Sequence, residues 1–384
     1  MSFPLYDVIQ QAEPHLTNTS HYGLWFERFF NQYDRENSNE HKRWLILEPH
    51  KDKKKNEDEP RGKAYWLNTF AGKKTPSHKE GENALQHYTE NQIALVKTYL
   101  KGQCLTFKAT GHFVTGMGNP HPVENGFAWH PTLGVPYLTG AAVKGLVRSY
   151  LESNLEIDDP LKKQLLLSWF GSTSKDPTEK DYEAQAGTLI FFDAIPTEPV
   201  TLGVDVMTPH MGDWYAKGAK EPNQANTVPA DWHNPIPITF LVAKEISLLF
   251  SFALRPSAPP ADKEAIQLDD VAYVLEQALL YAGAGGKTAT GYGQMQSLEA
   301  IEKAKQQEAL KNAEVVEGYL KRNLKNKALI VEYQRNPIAT LTNQDKIAAL
   351  LAQLDSATQQ KLAKGEGVKM RVYVMNKEII QLVL

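Results

Sequence analysis

The chain of 384 residues contains a single cysteine, Cys104. One thiol excludes an intrachain disulfide and any zinc site built from several cysteines, and it suits a reducing, cytoplasmic setting. The strand-like neighbours of Cys104 read as a small buried hydrophobe. No apolar run reaches about 18 residues, so no membrane-spanning helix is expected. The first residues, M-S-F-P-L-Y-D, have no basic head before an apolar stretch and do not read as a secretion signal. An excess of one charge is missing as well: 42 Lys and Arg stand against 45 Asp and Glu, a net charge of −3. A freestanding nucleic-acid binder is usually basic. Any RNA contact must therefore be local or shared with partner subunits. The 11 histidines form no H-E-x-x-H and no other close ligand pair. His112, His121, His130, His210 and His233 stand apart, and Asp193 and Asp205 are lone carboxylates near strand ends. No metal and no cofactor are expected.

Glycine, by contrast, is concentrated in one place. Residues 281–293 read Y-A-G-A-G-G-K-T-A-T-G-Y-G, with five glycines. Glycine lets the main chain adopt positive φ and approach a ligand closely, and exposed backbone N–H groups in such a loop cradle anionic oxygens. Gly285, Gly286, Lys287, Thr288, Thr290, Gly291 and Tyr292 are the candidate contacts. A P-loop is not met. It needs G-x-x-x-x-G-K-[ST] between a strand and a helix, but Tyr281 stands five before Gly286, and here helix precedes the loop and strand follows. A nucleic-acid backbone contact and a plain flexible turn remain.

The pattern along the chain is α+β. Residues 1–34 end in an aromatic-rich helix, and 35–87 read as a polar, solvated or disordered insertion within an N-terminal extension (1–100). Residues 103–115 alternate as a half-buried strand. Residues 140–152 carry Val143, Leu146, Val147, Tyr150 and Leu151 at helical spacing, with Thr139 as N-cap. A strand follows at 188–192, a hairpin at 237–254 turning near Lys244 and Glu245, a helix at 269–282 and a strand at 290–298. This βαββαβ order is that of a ferredoxin-like domain, here 101–299, with long insertions at 154–186 and 194–236. Residues 300–313 read as a helical connector. Residues 314–384 follow as a small β-rich module. Its three strands, a helix at 343–363 and a closing hairpin around Asn376 and Lys377 match the order of an OB-like barrel.

Residues 130–148 read H-P-T-L-G-V-P-Y-L-T-G-A-A-V-K-G-L-V-R. Gly140 and Gly145 keep the helix start small, so an anion can dock at its N–H groups. Lys144 and Arg148, at i and i+4, present two cations on the face opposite the apolar stripe. His130 precedes the turn and joins Gly140, Lys144, Gly145 and Arg148 as a candidate RNA contact, with no second titratable group placed beside it by the sequence.

Together these segments resemble a known family. The G-x-P-Y-L-x-G-x-x-x-K-G-x-x-R stretch, the closing glycine loop and a third block, D-V-M-T-P-H-M-G-D-W-Y at 205–215, are similar in order and spacing to RAMP-superfamily proteins. They most resemble the sixth-subunit family of the type III-B (Cmr) CRISPR effector complex, over about residues 100–298. The resemblance implies a ferredoxin-like core that holds the 3′ part of the CRISPR RNA (crRNA) without cleaving it. It implies crRNA and target RNA as partners, with the backbone RAMP, small helical and terminal RAMP subunits as neighbours. By analogy Lys144 and Arg148 grip guide phosphates with the glycine loop beside them. The 194–236 insertion matches a thumb, with Met207, His210, Met211, Trp214 and Tyr215 wedging into the guide–target duplex. A RAMP endoribonuclease using His130 and a protein scaffold that touches no RNA are the alternatives.

Overall fold

The computed structural model describes residues 16–37, 42–47, 50–52, 57–59, 61–156, 159–172, 184–218, 220, 221, 224, 228 and 235–383. Two compact units emerge, Met1–Ser297 and Leu298–Leu384. Among the described residues, no helix is long and apolar enough to cross a membrane.

The centre of the first unit is a five-stranded sheet with four main strands, β1 (Gln103–Ala109), β2 (Leu189–Phe191), β3 (Ser247–Leu254) and β4 (Met295–Ser297), and a short strand, Ile195–Pro196, that also pairs with β3. Helix α1 (Gly140–Asn154) lies between β1 and β2 in sequence, and α2 (Leu268–Gln277) between β3 and β4. The strands run in the order β4-β1-β3-β2, and every neighbouring pair is antiparallel. The inner strand β3 is covered on both faces, which is why S-L-L-F-S-F-A-L is a continuous apolar run rather than an alternating one. Helix α1 starts at Thr139, whose side chain accepts from the Ala142 N–H, and buries Val143, Val147 and Leu151. Helix α2 carries Asp269 and Asp270 in its first turn, where the helix dipole favours negative charge, and buries Val271 and Leu275. Gly283, at φ +74°, ends the helical run.

Four expectations need correction. Residues 237–254 are not a hairpin. Ile238–Lys244 pairs with Val200–Met207, and Lys74–Thr75 adds to the far edge of that second sheet, whereas β3 pairs with β1 and β2. Glu245, at φ +51°, and the buried Ile246 carry the chain from one sheet to the other. Two adjacent apolar runs read as extended, but their residues do not show which strands they pair with.

Secondly, the 194–236 insertion begins as core, since Val200 and Leu202 are buried in that second sheet. Thirdly, the latter part of 35–87 is ordered. Helices Gly62–Asn68 and Lys79–Ile93 bury Trp66, Leu67 and Leu85, and Trp66 and Phe70 join Phe26, Phe30 and His121 in an aromatic cluster. A few large rings anchor a segment whose average composition is polar. Residues 53–56 and 60 of the charge run lie outside the described residues. Lastly, the final strand of the sheet is short. Thr288–Thr290 is a 3-10 turn, and the strand covers only Met295–Ser297.

The second unit is a closed five-stranded barrel: β5 (Glu314–Arg322), β6 (Leu329–Tyr333), β7 (Asn336–Leu341), β8 (Val368–Met375) and β9 (Glu378–Val383). Its order is β5-β6-β7-β9-β8, closing on β5, with only the β7–β9 pair parallel. Helix α3 (Leu298–Lys311), expected as a connector, belongs to this unit and packs beside β9. The expected single helix at 343–363 is two, α4 (Gln344–Ala352) and α5 (Ser356–Ala363). Asp355 caps the second by accepting from the Thr358 N–H at 2.9 Å, so the apolar stripe runs across a break. Asn376 and Lys377, both at positive φ, form the tight turn between β8 and β9.

Candidate nucleic-acid interface

The glycine loop is held by its own close approaches. Gly285, at φ +89°, passes so near segment 112–117 that a Cβ would lie 2.2 Å from the Val114 carbonyl oxygen. Gly293, at φ +69°, would place one 1.9 Å from the Ala284 oxygen. Gly286 N–H donates to Val114 O at 2.7 Å, Gly293 N–H to His112 O at 2.9 Å, and Ala284 N–H to Gly293 O at 2.8 Å. The expected anion cradle is therefore partly spent on the protein itself. Gly291 differs: at φ +88° it is exposed, and no atom lies within 4 Å of where its Cβ would be. Thr288 and Thr290 flank this open apex, with the Thr290 hydroxyl donating to Lys287 O at 2.8 Å.

Lys287 is in the left-handed region, which turns its side chain back over the loop. Its ammonium lies 5.3 Å from the centre of the Phe240 ring, 5.9 Å from that of Tyr292, and 4.0 Å from Met207 Sδ. Two aromatic faces and a thioether thus position a half-buried cation. Tyr292 Oη donates to Asp205 Oδ2 at 2.5 Å, and His112 Nδ1 lies 3.2 Å from the same oxygen. Asp205 Oδ1 accepts from the Val206 N–H at 2.7 Å. Burial alone would raise the Asp205 carboxyl. The hydrogen bonds from Tyr292, Val206 and His112 outweigh that and hold it below the ordinary carboxylate value. Burial, then the bond to Asp205 and its charge, push the Tyr292 phenol up to about 12.

This network joins three segments distant in sequence: 112 after β1, 205–207 in the second sheet, and the loop. Sequence reasoning set Asp205 aside as a lone aspartate and assigned nothing to His112 or Phe240. Only the third motif block, which begins at Asp205, pointed to it.

The network makes a pH-dependent contribution to stability of determinate sign. The Asp205 part is present above the ordinary carboxylate pKa of about 3.9 and is lost as pH falls through the lower folded value. The Tyr292 part is present below pH 10 and is lost as pH rises from 10 to about 12. Asp205→Asn should bring the Tyr292 titration, followed by tyrosinate ultraviolet absorbance, back toward that of an ordinary tyrosine. An unaltered titration would show that the two groups are not coupled.

Helix α1 departs from expectation in three ways. Its N-terminal anion site is already filled, because Asp193 Oδ1 accepts from the Gly140 N–H at 2.7 Å. Gly140 is a packing glycine, whose Cβ would sit 2.3 Å from the Phe191 oxygen, whereas Gly145 faces open space. Finally, Lys144 and Arg148 do not lie opposite the apolar stripe. They are one position past Val143 and Val147, about 100° around the helix, on its half-buried flank. Arg148 Nε donates to Glu152 Oε1 at 2.8 Å, and its guanidinium lies 6.0 Å from the Phe170 ring centre. Burial, then the Arg148 charge, hold the Lys144 ammonium below the usual lysine value. A bound phosphate would relieve that repulsion. Among the described residues, no hydrogen bond or ion pair joins Lys144 or Arg148 to the glycine loop. Because Glu152 already engages Arg148, Lys144 is the more available of the two cations to an incoming anion.

His130 is 5% exposed. Its ring lies edge-on to Tyr88 and Tyr137, and its Nδ1 accepts from the Leu133 N–H at 3.3 Å. Burial pushes it below the ordinary histidine value, against an opposite pull from the Asp193 charge, and the charge of His21 adds the smallest share to the lowering. The residue is a structural member of the core rim and does not face a surface.

Met207 closes the second sheet beside Lys287. His210 is exposed, Met211 is half-buried, and Trp214 and Tyr215 stand on the short helix Gly212–Lys217 with ring centres 4.9 Å apart. Tyr215 is 77% exposed. Most of residues 222–234, the rest of the expected thumb, lie outside the described residues.

Comparison with known proteins agrees with the motifs. The model of the RAMP superfamily matches residues 106–296. The CRISPR system Cmr subunit Cmr6 of Pyrococcus furiosus is 29% identical over 238 residues, covering 49% of this chain and 66% of that protein. The Cmr6 of Saccharolobus solfataricus is 28% identical over 183 residues, covering 46% and 58%. The chain thus spans less than two thirds of either relative. A chain of the cryo-EM structure of the type III-B Cmr-beta bound to cognate target RNA aligns with a TM-score of 0.40 at 19% identity. That alignment covers 58% of this chain and 68% of the other. The crystal structure of Pyrococcus furiosus Cmr6 aligns at a TM-score of 0.28 and 22% identity, covering 51% and 97%. Lys144, Arg148, Asp205, Lys287 and Tyr292 all fall inside the matched segment, and that segment, residues 106–296, belongs to the RAMP superfamily.

Proposed function

We propose that this chain is a non-catalytic RNA-binding subunit of a type III-B CRISPR effector complex, and that it holds the 3′ part of the crRNA beside its target. In this reading the β4-β1-β3-β2 sheet with α1 and α2 is a ferredoxin-like core, and the barrel is OB-like. The observation that carries it is Lys287: a cation fixed over two aromatic rings, at the base of an exposed glycine apex, within a segment of RAMP sequence.

A guide-holding subunit must accept any spacer, so it needs contacts to phosphate and sugar, which carry no base identity. Lys287 and Lys144 supply charge, and the Gly291 apex supplies backbone without a side chain in the way. Trp214, Tyr215 and Met211 offer apolar surface to a distorted duplex. The curated relatives named as Cmr6 support the placement in a Cmr complex, with a backbone RAMP, a small helical subunit and a terminal RAMP subunit as neighbours. His130 gives no support to an endoribonuclease, since its ring is enclosed and its Nδ1 is engaged.

The test is to purify the tagged chain from a host that expresses the whole complex and to sequence the RNA that comes with it. The account expects crRNA whose 3′ part is crosslinked to this chain. Recovery of the assembled proteins with no RNA crosslinked to this chain would favour a scaffold.

A further inference from the structure

The barrel unit, 298–384, lies outside the RAMP match, and its charge is opposite to that of the rest. It carries fourteen Lys and Arg against ten Asp and Glu, a net +4, which leaves −7 on residues 1–297. Local charge of one sign on an otherwise acidic chain marks where a polyanion can be held.

The strand register shows how that charge is arranged. On β5 the inward residues are Gly318 and Leu320, so Val315, Glu317, Tyr319 and Lys321 face outward. Pairing sets Tyr319 opposite Lys369 of β8 and Glu332 of β6, Glu317 opposite Arg371, and Val315 opposite Tyr373. Neighbours in such pairs are about 5 Å apart and diagonal ones about 7–8 Å. Tyr319, 51% exposed, is therefore ringed by Lys369, Lys321 and Arg371, with Tyr373 further along. The two acids of the face are paired within it, Glu332 to Lys321 at 2.6 Å and Glu317 to Lys369 at 2.9 Å. Exposed pairs of this kind are weak and screened by salt, so a phosphate can compete for either lysine. At the Lys321 end the chain continues into the 323–328 turn. Its Lys325 and Lys327 are exposed, as is Leu324 at 65%, and Gly365 packs against Leu324.

We propose that the outer face of β6-β5-β8, with Tyr319 at its centre and the Lys325–Lys327 turn at its rim, is a second RNA site that binds single strands without regard to sequence. A flat phenol ring accepts the face of any base, and the surrounding cations follow the backbone. Neither Lys144 nor Lys287 takes part, so this site stands apart from the reading above.

The experiment uses the full chain carrying Lys144→Glu and Lys287→Glu, which disables the first site, and a labelled mixed-sequence single-stranded RNA of about 12 nucleotides. Residual binding should remain in fluorescence anisotropy. Tyr319→Ala should weaken it by about tenfold, Tyr319→Phe should restore it because the ring is kept, and Lys325→Glu with Lys327→Glu should weaken it and flatten its salt dependence. A duplex of the same length should compete poorly. The proposal falls if the Lys144→Glu, Lys287→Glu chain binds no RNA, or if Tyr319→Ala and Tyr319→Phe bind equally. It also falls if Tyr319→Ala leaves RNA binding intact while releasing a protein subunit of the complex, which would make the face a protein-docking surface.

Discussion

Gly293→Ala should lower the thermal midpoint of the first unit by about 10 °C. The residue sits at φ +69°, and an added methyl would meet the Ala284 carbonyl oxygen at 1.9 Å. Left-handed strain costs a non-glycine residue about 1–3 kcal/mol, and overpacking a tight site about 1–3 kcal/mol more. Relief by movement would break the Gly293 N–H bond to His112 O and the Ala284 N–H bond to Gly293 O. At about 2–4 °C per kcal/mol for a unit of this size, the shift is large and easily read by circular dichroism. Gly291→Ala is the control. It shares the positive φ but meets no atom, so only about 1–2 kcal/mol of backbone strain is expected. Equal losses at the two positions would show that close packing is not what holds the loop.

The second large effect concerns RNA protection. In a reconstituted complex, Lys144→Glu with Lys287→Glu should expose the 3′ part of the crRNA to ribonuclease while the remainder stays protected. Each charge-assisted contact is worth about 1.5–3 kcal/mol, and reversal adds repulsion to that loss. Two such losses correspond to about a hundredfold or more in local occupancy. Lys144 lies on a half-buried helix flank, whereas Lys287 packs on the buried Phe240 ring, so circular dichroism of the variant is the check that the fold is kept. Full protection in the variant complex would mean that neither lysine meets the strand.

Much of the local structure was legible in the sequence. The apolar spacing of α1, its cap at Thr139, the stop at Gly283 and the Asn376–Lys377 turn each follow from rules acting within a few residues. Long-range pairing was not. The run from 237 to 254 reads as two extended apolar segments around a polar turn, as a hairpin would, and nothing local tells that its two halves join different sheets.

The site was legible to the same degree. Lys287, Tyr292 and Met207 do converge, but the motifs could not show that Asp205 and His112 join them, since the network is assembled from segments distant in sequence. The glycine loop pointed to the right place for a partly different reason. Gly285 and Gly293 are small because backbone passes beside them, and only Gly291 leaves room for a ligand. Nor could helix periodicity reveal that Asp193 would already occupy the N–H of Gly140, or that Glu152 would engage Arg148.

The most direct test of the central claim, that Lys144 and Lys287 neutralise RNA phosphates, is the salt dependence of binding. For a single strand, log K falls with log salt at a slope of about −0.7 per phosphate neutralised. Titrating the full chain and the Lys144→Glu, Lys287→Glu variant with crRNA over a range of salt should give a slope shallower in the variant by about 1.4. Parallel lines would contradict the account.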